Sequence, residues 1–151
     1  RTSPLNTPDE TADAFSCAMV PGTVCTDAPV KVAGRDAWFL QQTGGSVFTG
    51  IYFCGPAEDV AACATRLAAL TKLSLPVRVL IVISRGTRLE GAAMPSGVMV
   101  IEDVEGIVNT RFDAHAGTFY LLRPDQHVCA RWRALDTASV KAALDRATCN
   151  A

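Results

Sequence analysis

The sequence predicts a single α/β domain with a central mixed sheet flanked by helices, preceded by an extended, Pro-rich N-terminal segment. Three observations carry this. A glycine-bounded run of β-formers, Val47 to Phe53, leads into three- and four-residue apolar spacing between Ala57 and Leu73. Next comes Val77 to Ile83, nearly continuous in apolar residues, as a strand buried on both faces is. Two more β-rich runs then flank a Pro-Asp turn and lead into a last amphipathic stretch.

In chain order, residues 1–29 carry Pro4, Pro8, Pro21 and Pro29 among Ser, Thr, Asn and Asp, the composition of a linker or an extended surface segment. A short helical turn is expected near Asp36-Ala37-Trp38-Phe39-Leu40, before Gly44-Gly45 breaks the chain. After the first strand, Val60, Cys63, Ala64, Leu67 and Leu70 form one apolar helix face, with Pro56, Glu58 and Asp59 suited to its positive end. Pro76 closes that helix. Strand, helix and strand at this spacing make a βαβ unit. The loop from Ser84 to Gly97 holds Gly86, Gly91 and Pro95. A short strand, Val98 to Ile101, and a weak helix, Val104 to Thr110, follow. Thr118–Arg123 and Val128–Arg133 form a hairpin around Pro124-Asp125-Gln126-His127. Asp136 caps the last helix, whose apolar face is Val140, Ala143, Leu144 and Ala147. The order βαβ, a connecting unit, then ββα is that of the thioredoxin fold.

Composition narrows the function. The 151 residues are 49 % hydrophobic and 19 % charged, with a formal net charge of -1 and no basic stripe, so a nucleic-acid partner is not expected. The scarcity of charge leaves room for an apolar patch that suits a protein partner. No apolar run approaches membrane-spanning length, and the N-terminus has no signal-peptide core. The chain begins with Arg1 instead of Met, which points to a cut or processed chain. Cysteines at 17, 25, 54, 63, 129 and 149 show no CxxC pair and no zinc-type spacing. They are expected to be reduced, mostly buried thiols of a cytoplasmic protein, with no metal site.

The segment Phe53-Cys54-Gly55-Pro56-Ala57 resembles the Cys-Gly-Pro-Cys redox motif at the matching strand-to-helix junction. A helix N-terminus there would stabilise a thiolate. Ala57 stands where the second cysteine belongs, and Cys63 lies further down the helix on its apolar face. Ala116-Gly117-Thr118 occupies the stretch where thioredoxins carry a cis-proline. Cys54 is therefore expected to be structural, with a lone reactive thiol as the alternative. His115 and His127 lack an evident catalytic partner; His127 is expected to bond locally near Asp125. Of Glu102, Asp103 and Glu105, Asp103 is expected to cap the weak helix. Arg131 and Arg133 share one strand face, where they could clamp an anion or form interface ion pairs; the second is expected, since no Gly-rich phosphate loop accompanies them.

Ser3-Pro4-Leu5-Asn6-Thr7-Pro8-Asp9, Asp27-Ala28-Pro29-Val30 and Gly117-Thr118-Phe119-Tyr120-Leu121-Leu122-Arg123-Pro124-Asp125-Gln126-His127-Val128, running on to Ala130-Arg131-Trp132-Arg133, resemble the C-terminal domain of FAD-dependent aromatic-ring monooxygenases of the phenol hydroxylase and 3-(3-hydroxyphenyl)propionate hydroxylase type. The resemblance implies a thioredoxin-like domain without the redox pair. Residues 1–29 are then a linker from a missing upstream FAD domain, and 30–151 the C-terminal domain. The parent would hydroxylate an aromatic substrate with FAD, NAD(P)H and O2. This chain would hold no catalytic, cofactor-binding or metal-binding residue, and would pack on the upstream FAD and substrate domain or form a homodimer. The alternative is a free-standing thioredoxin-related thiol protein using Cys54 alone.

Overall fold

Strand formation follows the apolar runs, and alternation along each strand sends side chains to opposite faces. The computed structural model describes residues 3–10, 12–89, 91 and 93–149; Arg1 lies outside them. Its strands are β1 (Pro29–Val32), β2 (Arg35–Trp38), β3 (Phe48–Phe53), β4 (Val77–Ser84), β5 (Val98–Asp103), β6 (Phe119–Leu122) and β7 (Val128–Trp132). The helices are α1 (Val60–Leu67), α2 (Ile107–Arg111) and α3 (Thr137–Ala147). One seven-stranded sheet runs β2-β1-β5-β4-β3-β6-β7. The β3·β4 and β4·β5 pairs are parallel, and the remaining pairs are antiparallel. This is the predicted mixed sheet, extended by a hairpin that the sequence reading did not contain.

That hairpin corrects the expected helical turn at Asp36–Leu40. Residues 35–38 are strand β2, and only Phe39–Gln42 coil, as a 3-10 turn. Val32 pairs with Arg35 across a two-residue loop in which Ala33 and Gly34 have φ of 49° and 75°. Positive φ at both loop residues is the hairpin-favouring geometry, here with alanine where asparagine is usual. The first helix is also shorter than the apolar spacing suggested. Asp59 caps it, accepting from the Ala61 amide at 2.9 Å, so Pro56 lies in the preceding turn. After Leu67 the chain tightens to a 3-10 helix over Ala68–Lys72.

The sheet separates two cores. On one side α1 and α3 place Val60, Cys63, Ala64, Leu67, Val140, Ala143 and Leu144 against Tyr52, Val79, Ile81 and Phe119. Gly50 of β3 leaves room there for the Phe119 ring: a Cβ at Gly50 would lie 2.5 Å from its Cζ. On the other side Phe15, Met19, Cys25 and Ala28 join Phe39, Val108 and Phe112 over Ile51, Leu80, Val82 and Tyr120. Residues before β1 thus form part of the core. They also cover the β7 edge, through Val24 bridging His127 and the Val128 amide donating to the Thr23 carbonyl at 2.8 Å. Cys129 is the extra residue of a bulge, since Leu121 pairs with Ala130 and Leu122 with Val128. Its carbonyl, off the ladder, accepts the Thr7 amide at 3.2 Å. Among the described residues, no helix is long and apolar enough to cross a membrane.

Candidate functional site

The junction between β3 and α1 carries the densest polar chemistry in the first core. Cys54 leaves the sheet with its amide donating to the Val82 carbonyl at 3.0 Å, which fixes the thiol under the start of α1. The turn then brings Glu58 back over it. Glu58 Oε1 accepts the Gly55 amide at 3.1 Å, and Oε2 accepts from the Tyr52 hydroxyl at 2.7 Å and the Cys63 thiol at 3.1 Å. Arg66 donates to the Tyr52 hydroxyl at 2.8 Å and lies 5.4 Å from the centre of that ring. The sulfurs of Cys54 and Cys63 and a Glu58 carboxylate oxygen all lie within 4.8 Å of one another.

Sequence spacing left Cys63 apart from Cys54, and the fold brings the two together. Strand β3 ends beneath the first turn and a half of α1, so a residue nine positions along the chain lands beside Cys54. Glu58, which carried no assigned role beyond the helix dipole, links them. The only sequence signal was its place between the two cysteines near a predicted helix start, which many capping residues share.

Burial controls the protonation of this cluster. Desolvation, followed by the neighbouring Cys63, pushes the Cys54 thiol up to about 12. Cys63 is also raised, by burial first and then by Glu58. For Glu58 burial works upward, but the bonds from Tyr52, Cys63 and the Gly55 amide prevail and hold it below the ordinary carboxylate value. At neutral pH the cluster is two thiols and one carboxylate. A reactive nucleophile would need the reverse, a lowered thiol pKa.

The remaining predicted residues sit elsewhere. His127 Nδ1 lies 3.1 Å from the Asp125 carbonyl, the expected local contact, and His115 is exposed, 4.0 Å from Asp113. Among the described residues, neither histidine bonds to Cys54 or Cys63. Asp103 is buried and accepts the Val108 and Asn109 amides at 3.2 and 2.8 Å, capping α2 as expected. Arg131 pairs with Asp9 at 2.6 Å and Arg133 with Asp113 at 2.7 Å, within the chain. Both guanidinium groups stack on the Phe15 ring, at 4.3 and 3.8 Å. With these donors spent, the pair does not present an open anion clamp.

The strand-to-helix turn is also where a flavin's pyrophosphate would sit on a dinucleotide-binding domain. The residues present do not fit one. Glu58 and Asp59 already occupy the amides of Gly55 and Ala61, so a phosphate would meet two carboxylates. A Cβ at Gly55 would lie 2.7 Å from Ala116 Cβ, which shows how closely the facing loop approaches.

A sequence model described as the HcaD C-terminal domain matches residues 22–147. No curated protein matches the sequence. Among solved structures, the chain superposes on the flavin-dependent monooxygenase PieE, in complex with FAD and substrate, with a TM-score of 0.61 and 22 % identity, covering 97 % of this chain and 24 % of that one. It superposes on aklavinone-11 hydroxylase, in a ternary complex with FAD and aklavinone, at TM-score 0.62 and 20 % identity, covering 96 % and 25 %. The exposed lipoprotein thioredoxin Etrx1 of Streptococcus pneumoniae gives 0.58 at 11 % identity, covering 80 % and 99 %. The chain therefore spans about a quarter of the two oxygenases it matches. At these identities the likeness is one of fold, and that fold is thioredoxin-like.

Proposed function

Because this chain belongs to the HcaD C-terminal domain family, we propose that it is the non-catalytic C-terminal domain of a flavin-dependent monooxygenase. The complete protein hydroxylates an aromatic substrate with FAD, NAD(P)H and O2. The observation that carries this reading is the state of the redox position. Cys54 has no partner at Ala57, lies buried, and is pushed up to about 12, so the protonated thiol is its favoured form near neutral pH. The β3–α1 turn is occupied by carboxylates, so flavin and substrate chemistry belongs to other parts of the polypeptide. This chain's work is to pack: on the upstream FAD and substrate domain of the same polypeptide, or on a second copy. Of the segment before residue 30, the part from Phe15 to Ala28 packs into this chain's own core, so the join to the upstream domain lies ahead of Phe15. Free thiols at 17, 25, 54, 63, 129 and 149 suit a cytoplasmic setting.

The test is the absorption spectrum of the native full-length protein beside that of this chain. The expected result is flavin bands on a much longer polypeptide and a colourless isolated chain, with hydroxylation unchanged by Cys54→Ser. Stoichiometric FAD on the isolated chain would overturn the reading. So would a native protein of this chain's size whose thiol-transfer activity vanishes in Cys54→Ser.

A further inference from the structure

We infer that Cys54, Glu58 and Cys63 form a three-ligand site for a thiophilic divalent cation of the zinc class. Nothing in the proposed packing role requires such a site, and the two readings stand or fall separately.

The first support is geometric. The two sulfurs and a carboxylate oxygen lie within 4.8 Å of one another, with Cys63 Sγ 3.1 Å from Glu58 Oε2. A tetrahedral zinc ion, about 2.3 Å from sulfur and about 2.1 Å from oxygen, holds its ligand atoms roughly 3.5–4 Å apart. Closing the cluster on an ion therefore takes side-chain adjustments of about 1 Å or less. The backbone is already in place, since Cys54 is bonded to β4 and Cys63 lies inside α1.

The second support is the surroundings of the carboxylate. Glu58 is oriented by the Gly55 amide on Oε1 and by the Tyr52 hydroxyl on Oε2, and Tyr52 is in turn held by Arg66. Hydrogen bonds of this kind orient a metal-binding carboxylate and leave its remaining lone pairs available. An open depression bordered by Glu58, Cys63 and Arg66 lies beside the cluster, leaving room for a fourth ligand from solvent. Two sulfurs with one oxygen select zinc, cadmium or cobalt over magnesium or calcium.

The third support is charge. Two thiolates and Glu58 would place three negative charges within 4.8 Å of one another in one largely buried spot. A dication reduces that sum to a single negative charge. Arg66, linked through Tyr52, balances the remainder without taking a ligand position. Binding proceeds by exchange: each sulfur–hydrogen bond is replaced by a sulfur–metal bond, and two protons leave to solvent with no change in oxidation state.

The test is cobalt(II) titration of the reduced, metal-stripped chain in a Cys149→Ser background, which removes the exposed thiol. One equivalent should produce sulfur-to-cobalt charge-transfer absorption and intense tetrahedral visible bands, displaced by one equivalent of zinc. Calorimetry of the wild-type chain in two buffers should show about two protons released per ion, and apparent affinity should rise by up to about 100-fold per pH unit from pH 6 to 8. Cys54→Ser and Cys63→Ser should each weaken binding at least about tenfold, and Glu58→Gln likewise. Cys25→Ser, on the opposite face of the sheet, should not. The inference is overturned if cobalt binds without the charge-transfer band or releases no protons. It is equally overturned if Cys54→Ser matches the wild type, or if Cys54 and Cys63 close into a disulfide and leave no ion-binding thiols.

Discussion

The two faces of the sheet are covered in different ways. Over one face lie α1 and α3, whose backbones satisfy themselves and whose apolar stripes meet the strands. Over the other runs largely irregular chain, from Phe15 to Ala28 and on through the 3-10 turn at Phe39, with the short helix α2 beside it. Irregular backbone cannot satisfy its own polar groups, so side chains reaching from the sheet and the adjoining loops do it. Arg131 bonds Asp9 and the Met19 carbonyl, and Arg133 bonds the carbonyls of Ala14 and Asp113. Arg111 donates to the Asp27 carbonyl, and Gln126 to the Leu40 carbonyl. Between the forks sit aromatic anchors, with Phe112 edge-on to Tyr120 at 4.8 Å and Phe15 to Tyr120 at 5.7 Å. One face is held by periodicity, the other by a strap and its clasps.

The clasp nearest the N-terminus gives the largest expected effect. The Arg131 side chain is 1 % exposed and Asp9 16 %, so removing the carboxylate leaves a buried guanidinium short of its counter-charge. Asp9→Ala should cost about 3–5 kcal/mol in urea unfolding. Native-state proteolysis should cut within the strap before the sheet unfolds. Replacing the pair together, as Asp9→Leu with Arg131→Met, should restore most of that stability. A loss under about 1 kcal/mol in the single variant would show that the strap does not depend on this clasp. On the helical face Leu67→Ala, at a fully buried position, should cost about 2–5 kcal/mol. Here unfolding should be global, with no preferential cleavage in the strap; strap cleavage in this variant would erase the distinction between the faces.

The same contrast decides how much the sequence revealed. Strand and helix on the first face follow from continuous runs of apolar β-formers and from period-3.6 patterns in consecutive residues, so β3, β4, α1 and α3 were legible, as was the Asp136 cap. The second face is built from contacts such as Arg131 with Asp9, separated by 122 positions, and no local pattern encodes those. Strand β2 escaped for a different reason. Its Arg-Asp-Ala-Trp sequence is polar because it is an exposed edge, and Ala-Gly is an uncommon turn pair. The metal-type cluster was hidden similarly, because its ligands meet only when the end of β3 is laid beneath α1. The lone Cys54 at the redox position was visible; its neighbour across the junction was not.

A smaller effect is expected at Tyr120, which belongs to the strap's anchor. Its hydroxyl donates to the Phe112 carbonyl at 2.8 Å in a buried setting. Tyr120→Phe keeps the ring and orphans that carbonyl, at a cost of about 1–3 kcal/mol in urea unfolding. A neutral result would mean that the aromatic packing alone holds α2's end.

The smallest effect belongs to an ion pair outside both cores, and it separates buried clasps from surface ones. Arg123 grips Asp125 at 3.1 and 2.6 Å across the hairpin turn, and that bond, against opposing desolvation, lowers the carboxyl to about 2. A carboxyl depressed on folding binds its proton more readily in the unfolded chain. Its contribution is therefore present above the unfolded value near about 4 and is lost as pH falls through 2. Asp125 is 52 % exposed, however, so water and salt screen most of the attraction, and about 1 kcal/mol or less is expected. The gap in urea midpoint between the wild type and Asp125→Asn should be small at pH 5 and shrink toward pH 2. It should be smaller still in high salt. If that gap instead matched the Asp9→Ala loss and resisted salt, the hairpin turn would belong with the buried clasps, and the division between strap and surface would have to move outward to include it.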